Sequence, residues 1–387
     1  MIDAIALAQT LIRCPSVTPH DSGALAVVEQ ALTKIGFACT RLRFEEPGTA
    51  PIENLYARVG TSSPNFCFAG HSDVVPPGDT MLWRADPFAA EIRDGRLYGR
   101  GAADMKSAIA AFVAAAARHL RNSLSGSISL LITGDEEGPA VNGTVKVLQW
   151  MREKSERIDN CIVGEPTAAV HAGDVIKIGR RGSMRVEIAV RGVQGHTAYP
   201  HRAVNPIPIL ATLVSRIARE KLDEGTPHFE GSTLAFTTFD VGNPASNVSP
   251  AGARAFANIR FNDLHTPQSL HSRLAQMAQG VTRELGGSAE IEIVCGALPF
   301  VTEPGAFTDL LARAIERTTG RKPQLSTTGG TSDARFIKNY CPVAEVGLAG
   351  ETMHKVDESV PVAEIEKLTA IYTAILADYF ASPSSTE

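Results

Sequence analysis

Four short stretches carry imidazole or carboxylate groups at close spacing: "HSD" at 71–73, "GRGAADMK" at 99–106, "TGDEEG" at 133–138 and "GEP" at 164–166. A fifth, "ETMHKVDE", spans 351–358. The apolar run "NFCFAG" before His71 reads as a buried strand, and positions i and i+2 of a strand point the same way. His71 and Asp73 therefore stand side by side at its C-terminal end. Two readings fit that pair: a solvated turn with a satisfied histidine, or a metal-ligating histidine oriented by the aspartate.

Carboxylates crowded together repel one another unless a positive charge sits among them. A carboxylate-bridged pair of divalent ions about 3.5–4 Å apart removes the conflict. Mixed imidazole and carboxylate donors suit zinc, whereas magnesium or calcium favours oxygen alone. Such a pair lowers the pKa of a water to about 7, and a protein base must still take and return its proton. The doubled glutamate of "DEE" offers one residue as ligand and its neighbour as base. Taken singly, each motif has a plainer reading. Asp104 suits a helix N-cap, "DEEG" and "GEP" suit solvated turns, His196 suits a loop, and Arg180 and Arg181 suit edge-strand charges. Their coincidence at the ends of strands favours the site, because ligands bind there in open α/β sheets.

The elements that must position these groups alternate. A helix over 22–36, strands such as "ACTRLRF" and "NLYARVG", the helical "DMKSAIAAFVAAAARHL", the strand "SISLLIT", a helix from "NGTVKVLQWMREK" and the strand "NCIV" imply an α/β sheet flanked by helices. Near 180 the pattern changes to alternating strands with two helices, an α+β unit of ferredoxin-like kind. After about 295 the α/β character returns, with helices at 305–319 and 362–380. The expected organisation is a split catalytic domain, 1–179 and 295–387, with an inserted domain at 180–294. The closing "ASPSSTE" is expected to fray.

The chain has 387 residues, 44% hydrophobic and 20% charged, with net charge −5, which argues against nucleic acid as the main partner. The N-terminus has no basic, apolar leader and no apolar run approaches a membrane span. Six scattered cysteines without a CxxC pattern read as buried thiols, and a cytoplasmic location is expected.

The stretches "GHSDVVPPGD", "YGRGAADMK", "TGDEEG", "VGEPT", "GRRGS", "VQGHTAYPH", "SNVSP", "GGTSDARF" and "MHKVDE" resemble, in order and spacing, the dinuclear zinc aminoacylase/carboxypeptidase superfamily over nearly the whole chain. The resemblance implies that His71 and Glu165 bind one zinc and Glu137 and His354 the other. Asp104 would bridge them, with cobalt able to replace zinc at one site. Asp73 would orient His71, Glu136 would be the general base, and the peptide after Asp104 would be cis. It implies a homodimer formed through the inserted domain, in which His196 reaches the partner subunit's site and stabilises the oxyanion. Arg180, Arg260 and Asn247 would hold a substrate carboxylate or nearby polar groups, with Gly330 and Thr331 lining the pocket.

"GRRGS", "VQGHTAYPH" and "GGTSDARF" resemble members that cleave N-succinyl-LL-2,6-diaminopimelate into succinate and LL-2,6-diaminopimelate, a step of lysine and diaminopimelate synthesis. Relatives often carry Asn where this chain has Gly350. An acetylornithine deacetylase or a dipeptidase would share the zinc site, and a neutral acetyl group needs no guanidinium. A metal-free binding or scaffold protein would need neither the two histidines nor the doubled glutamate.

Overall fold

The computed structural model describes residues 2–381. Of the tail expected to fray, 381–387, all but Ala381 lies outside them. The described chain forms two compact units: residues 2–178, 302–326 and 332–381 in the first, and 179–301 with 327–331 in the second.

The first unit is built on an eight-stranded mixed sheet. Its order is Ala38–Phe44, Ile52–Val59, Ser127–Thr133, Asn65–His71, Asn160–Val163, Val343–Glu345, Val175–Lys177 and Gln324–Ser326. Asn65–His71 runs parallel to both of its neighbours and is buried at every position. That explains why "NFCFAG" carries no polar alternation: a strand covered on both faces has no solvent side. The alanine-rich helix Ser107–His119 covers this sheet centre together with the C-terminal helix Val362–Phe380. Phe68 stacks on Phe112 with ring centroids 4.4 Å apart, and Tyr372 meets Phe112 edge-on at 5.6 Å. Small residues along the first helix permit the close approach, and the aromatic rings fill the layer between. The α/β sheet with flanking helices read from the sequence is therefore the architecture found.

The second unit has an antiparallel sheet ordered Thr233–Asp240, Gly252–Phe261, Gly182–Arg191 and Ser288–Ala297. Gly182–Arg191 alternates between buried and more exposed positions, as a strand with one covered face must. Met184, Val186, Ile188 and Val190 pack in one cluster with Leu210 and Leu213 of helix Pro206–Ala218 and Leu270 and Leu274 of helix Pro267–Leu285.

The boundary expected at 294 falls later. Phe300 and Val301 pair with Arg180 and Gly179, which carries the second unit to Val301. Residues 327–331 also belong to it, although the sequence placed them in the catalytic part. The Thr327 hydroxyl donates to the His228 carbonyl and Arg180 Nη1 donates to the Thr328 carbonyl at 3.5 Å. No helix among the described residues is long and apolar enough to cross a membrane.

Candidate metal centre

Three adjacent parallel strands deliver candidate ligands at their C-terminal ends. His71 ends its strand, Glu136 and Glu137 follow Ser127–Thr133 within four residues, and Glu165 follows Asn160–Val163 within two. Asp104 comes from a tight turn, Ala102–Lys106, ahead of helix Ser107–His119, and its peptide to Met105 is cis, as expected. The helix begins at Ser107 with Lys106 as its N-cap, two residues beyond Asp104, so the N-cap reading fails. Asp104 has φ −124° and ψ 94°, outside helical geometry. His354 lies between strands Val343–Glu345 and Ser359–Pro361.

All five predicted ligands converge. His71 Nε2 lies 3.1 Å from Asp104 Oδ1 and 3.8 Å from Glu165 Oε1. His354 Nε2 lies 3.2 Å from Asp104 Oδ2 and 2.9 Å from Glu137 Oε1. Each triad, His71–Asp104–Glu165 and Asp104–Glu137–His354, holds its ligand atoms within 4.8 Å of one another. Asp104 thus turns one oxygen to each histidine, the disposition of a bridging carboxylate.

The electrostatics fit the same donor set. Burial pushes Glu165 well above the usual carboxylate range, and Asp104 and Glu136 repel its charge further. Burial likewise raises Glu136 to about 8. Burial also works to raise Asp104, but hydrogen bonds from His354 and His71 outweigh it and hold Asp104 below the usual range. Burial opposes protonation of His71, yet Asp104, with Glu136 and Asp73 behind it, holds that ring well above its ordinary value. His354 is raised to about 10 by its bonds to Asp104 and Glu137. Carboxylates this crowded attract cations, and imidazole with carboxylate donors in two triads sharing one aspartate suits two divalent ions.

Asp73 is placed differently from expectation. His71 Nδ1 is 2.9 Å from the Asp73 main-chain carbonyl but 3.6 Å from its carboxylate. The ring is fixed by the backbone of Asp73. The carboxylate, 2% exposed, instead accepts from Glu136 N at 3.3 Å, Glu137 N at 3.1 Å and Thr18 Oγ1 at 2.6 Å. Burial raises it to about 6, tempered by His71 and Thr18. It anchors the turn that carries both glutamates. Thr18 was missed in the sequence, which marks it only as a polar residue before Pro19. Asp333 of "GGTSDARF" was also missed as a neighbour of Glu136: it is buried, and its charge acts to raise Glu136.

The remaining predicted residues fall in the second unit, in three places. Arg180, 7% exposed, meets the 327–331 segment that holds Gly330 and Thr331. Gly329 has φ 107°, a backbone that glycine adopts without strain, and a Cβ there would stand 2.5 Å from Arg180 Nη1 and displace the guanidinium. His196 pairs with Val248 in a two-residue ladder, and Thr197 N donates to the Asn247 carbonyl, which makes His196 and Asn247 neighbours. Ala198 N donates to His196 Nδ1 at 3.0 Å. That acceptor role puts the neutral ring's proton on Nε2 and leaves Nε2 the donor. Arg260 lies opposite Ser183 in the sheet, and burial and the charge of Arg181 lower its pKa. All six cysteines are free; Cys67, Cys161 and Cys341 are buried and Cys295 is exposed.

Residues 67–378 match the profile of Peptidase family M20/M25/M40. A succinyl-diaminopimelate desuccinylase of Rhodospirillum centenum is 59% identical over 381 residues, covering 98% of each chain. One of Parvibaculum lavamentivorans is 56% identical, covering 99% of this chain and 97% of the relative. Among solved structures, a tripeptidase from Staphylococcus aureus superposes with a TM-score of 0.78 at 21% identity, covering 97% of this chain and 98% of that one. A dinuclear metal binding peptidase of the M20 family from Bacillus subtilis gives 0.71 at 16%, covering 97% of each. These folds agree along nearly the whole chain, and the full-length relatives are hydrolases by name. The chain belongs to Peptidase family M20/M25/M40.

Proposed function

We propose that this chain is a zinc-dependent amidohydrolase that converts N-succinyl-LL-2,6-diaminopimelate and water to succinate and LL-2,6-diaminopimelate, in lysine and diaminopimelate biosynthesis. The observation that carries the chemistry is Asp104, with one carboxylate oxygen 3.1 Å from His71 and the other 3.2 Å from His354. The substrate rests on the name shared by full-length relatives at 53–59% identity. Zinc suits the mixed nitrogen and oxygen donors, and cobalt is expected to serve at one site.

His71 and Glu165 would hold one ion, Glu137 and His354 the other, and Asp104 both. When bound, the ions polarise the scissile carbonyl and lower the pKa of the attacking water. Glu136 takes that water's proton and returns it to the leaving amine. Its carboxyl group, raised by burial, lies near the pH at which such an exchange is easiest in both directions. Asp73 holds the Glu136 turn in place through the main chain. His196 Nε2–H donates to the oxyanion in the partner subunit's site. Arg180, with Gly330 and Thr331 beside it, and Arg260 and Asn247 bind the succinyl carboxylate and nearby polar groups, a task for which a planar guanidinium is suited.

A homodimer through the second unit is consistent with strand Ser288–Ala297. It is an edge of its sheet, with no partner on its outer side among the described residues and with Val294 exposed. Six free thiols suit a reducing cytoplasm.

The test is hydrolysis of N-succinyl-LL-2,6-diaminopimelate beside N-acetylornithine, each with and without a chelator. Succinyl cleavage that disappears on chelation and returns with zinc is expected. Preference for the acetyl compound would overturn the substrate, and activity indifferent to chelation would overturn the metal mechanism.

A further inference from the structure

Two buried charges outside the ligand set tie together the loops that carry two of the ligands. Glu358 is fully buried, and its carboxylate accepts from four donors. They are Arg100 Nη1 at 2.6 Å, Gly101 N at 3.1 Å, Ala103 N at 2.8 Å and Asp104 N at 3.1 Å. The last two belong to the turn in which Asp104 departs from helical geometry. The Glu358 carboxylate takes the place of the carbonyls that a helix would offer these N–H groups.

Arg100, 2% exposed, reaches the other way. Nη2 donates to the carbonyls of His354 and Pro76, each at 3.4 Å, and Nη1 also reaches the Lys355 carbonyl at 3.3 Å. Its guanidinium carbon lies 5.3 Å from the centre of the Trp83 ring. His354 itself has φ 61°, the left-handed region that a non-glycine residue keeps only when its surroundings hold it. One end of the ion pair therefore grips the main chain of Asp104, and the other grips the main chain of His354.

We infer that Glu358 and Arg100 are positioning residues that fix the distance between Asp104 and His354, and so set the affinity of the ion held between them. The inference rests on the dinuclear reading above. Glu358→Gln removes the charge and leaves one oxygen for four donors, while Arg100 loses its buried counter-charge. Arg100→Lys keeps the ion pair but gives up the planar fork that reaches the His354 carbonyl.

The experiment is zinc titration of chelator-stripped, folded protein against a competing chromophoric chelator, with steady-state kinetics of the zinc-loaded forms. Wild type is expected to take two ions per chain. Glu358→Gln should weaken at least one of them by about 10- to 100-fold and lower kcat with little change in KM. Arg100→Lys should weaken mainly one ion of the two. Should Glu358→Gln fail to fold, the Arg100→Lys titration decides alone. Unchanged zinc affinity in the folded variants, with only the melting temperature lowered, would overturn the positioning role and leave a packing ion pair. Failure of the wild type itself to take two ions would overturn the dinuclear reading instead.

Discussion

Asp73→Asn separates two accounts of what this aspartate does. The carboxylate receives Glu136 N on Oδ1, and Glu137 N with Thr18 Oγ1 on Oδ2. An amide has one acceptor oxygen and one NH2 group. With the NH2 in place of Oδ2, the Thr18 hydroxyl can rotate to accept, but Glu137 N–H then faces another donor. With the NH2 in place of Oδ1, Glu136 N–H is the one stranded. The second arrangement gives up the longer bond, 3.3 Å against 3.1 Å, and is the cheaper. A buried unsatisfied N–H costs about 1–3 kcal/mol. At about 2 kcal/mol carried into the position of the base, kcat should fall about 30-fold, since 1.36 kcal/mol is tenfold. His71 keeps its bond to the Asp73 carbonyl, so zinc affinity should hardly change. The assay is kcat per bound ion on N-succinyl-LL-2,6-diaminopimelate, alongside zinc titration of the stripped protein. A tenfold or larger loss of zinc affinity, with kcat per loaded site intact, would refute the reasoning. It would return the carboxylate to the role of orienting His71.

Glu136→Gln should retain both ions and lose about 100- to 10,000-fold in kcat, read by metal analysis beside initial rates; a variant within tenfold of wild type removes Glu136 as the base. His196→Ala should also keep its zinc and lose mainly kcat. Mixed and reassembled with Glu136→Gln, it should regain about one quarter of wild-type activity if the histidine acts across subunits, because each mixed dimer has one intact site; no recovery in demonstrated mixed dimers would confine His196 to its own chain. In the second unit, Asp223 is held at about 2: burial would raise it, but bonds from Ser232, Asn262 and Gly225 outweigh burial. Its folded pKa lies below the unfolded value of 3.8, so its contribution is complete above that value and is lost as pH falls through about 2. Thermal unfolding of Asp223→Asn should therefore lose less stability than wild type over that acid range, and parallel curves would contradict the assignment.

What the sequence shows of this site follows from what metal chemistry requires. Ligation depends on side-chain type, and a sheet edge is an address that hydrophobic patterning reveals. His71, Glu137 and Glu165 could therefore be placed together from three apolar runs, each ending in acid or imidazole. The resemblance supplied the partition into two triads, with Asp104 and His354 sharing one of them. The α/β and α+β halves were equally readable, because burial on both faces or on one leaves a different alternation. The failures share another cause. The unit boundary moved to Val301 because two residues, Phe300 and Val301, pair with Gly179 and Arg180 more than a hundred positions away, and so short a ladder leaves no pattern. Asp104 resembled a helix cap because the helix does begin nearby; its N–H is instead taken by the carboxylate of Glu358, remote in sequence. Asp73 was expected to serve His71 because strand geometry fixes which residues are neighbours. It does not fix which atom of a residue does the bonding: the carbonyl took the imidazole, and the carboxylate was left for the N–H groups of Glu136 and Glu137. Residue identity thus shows which side chains can gather in such a cluster better than it shows their supports. Supports act through main-chain groups that every residue possesses, and only the fold decides which of them meet.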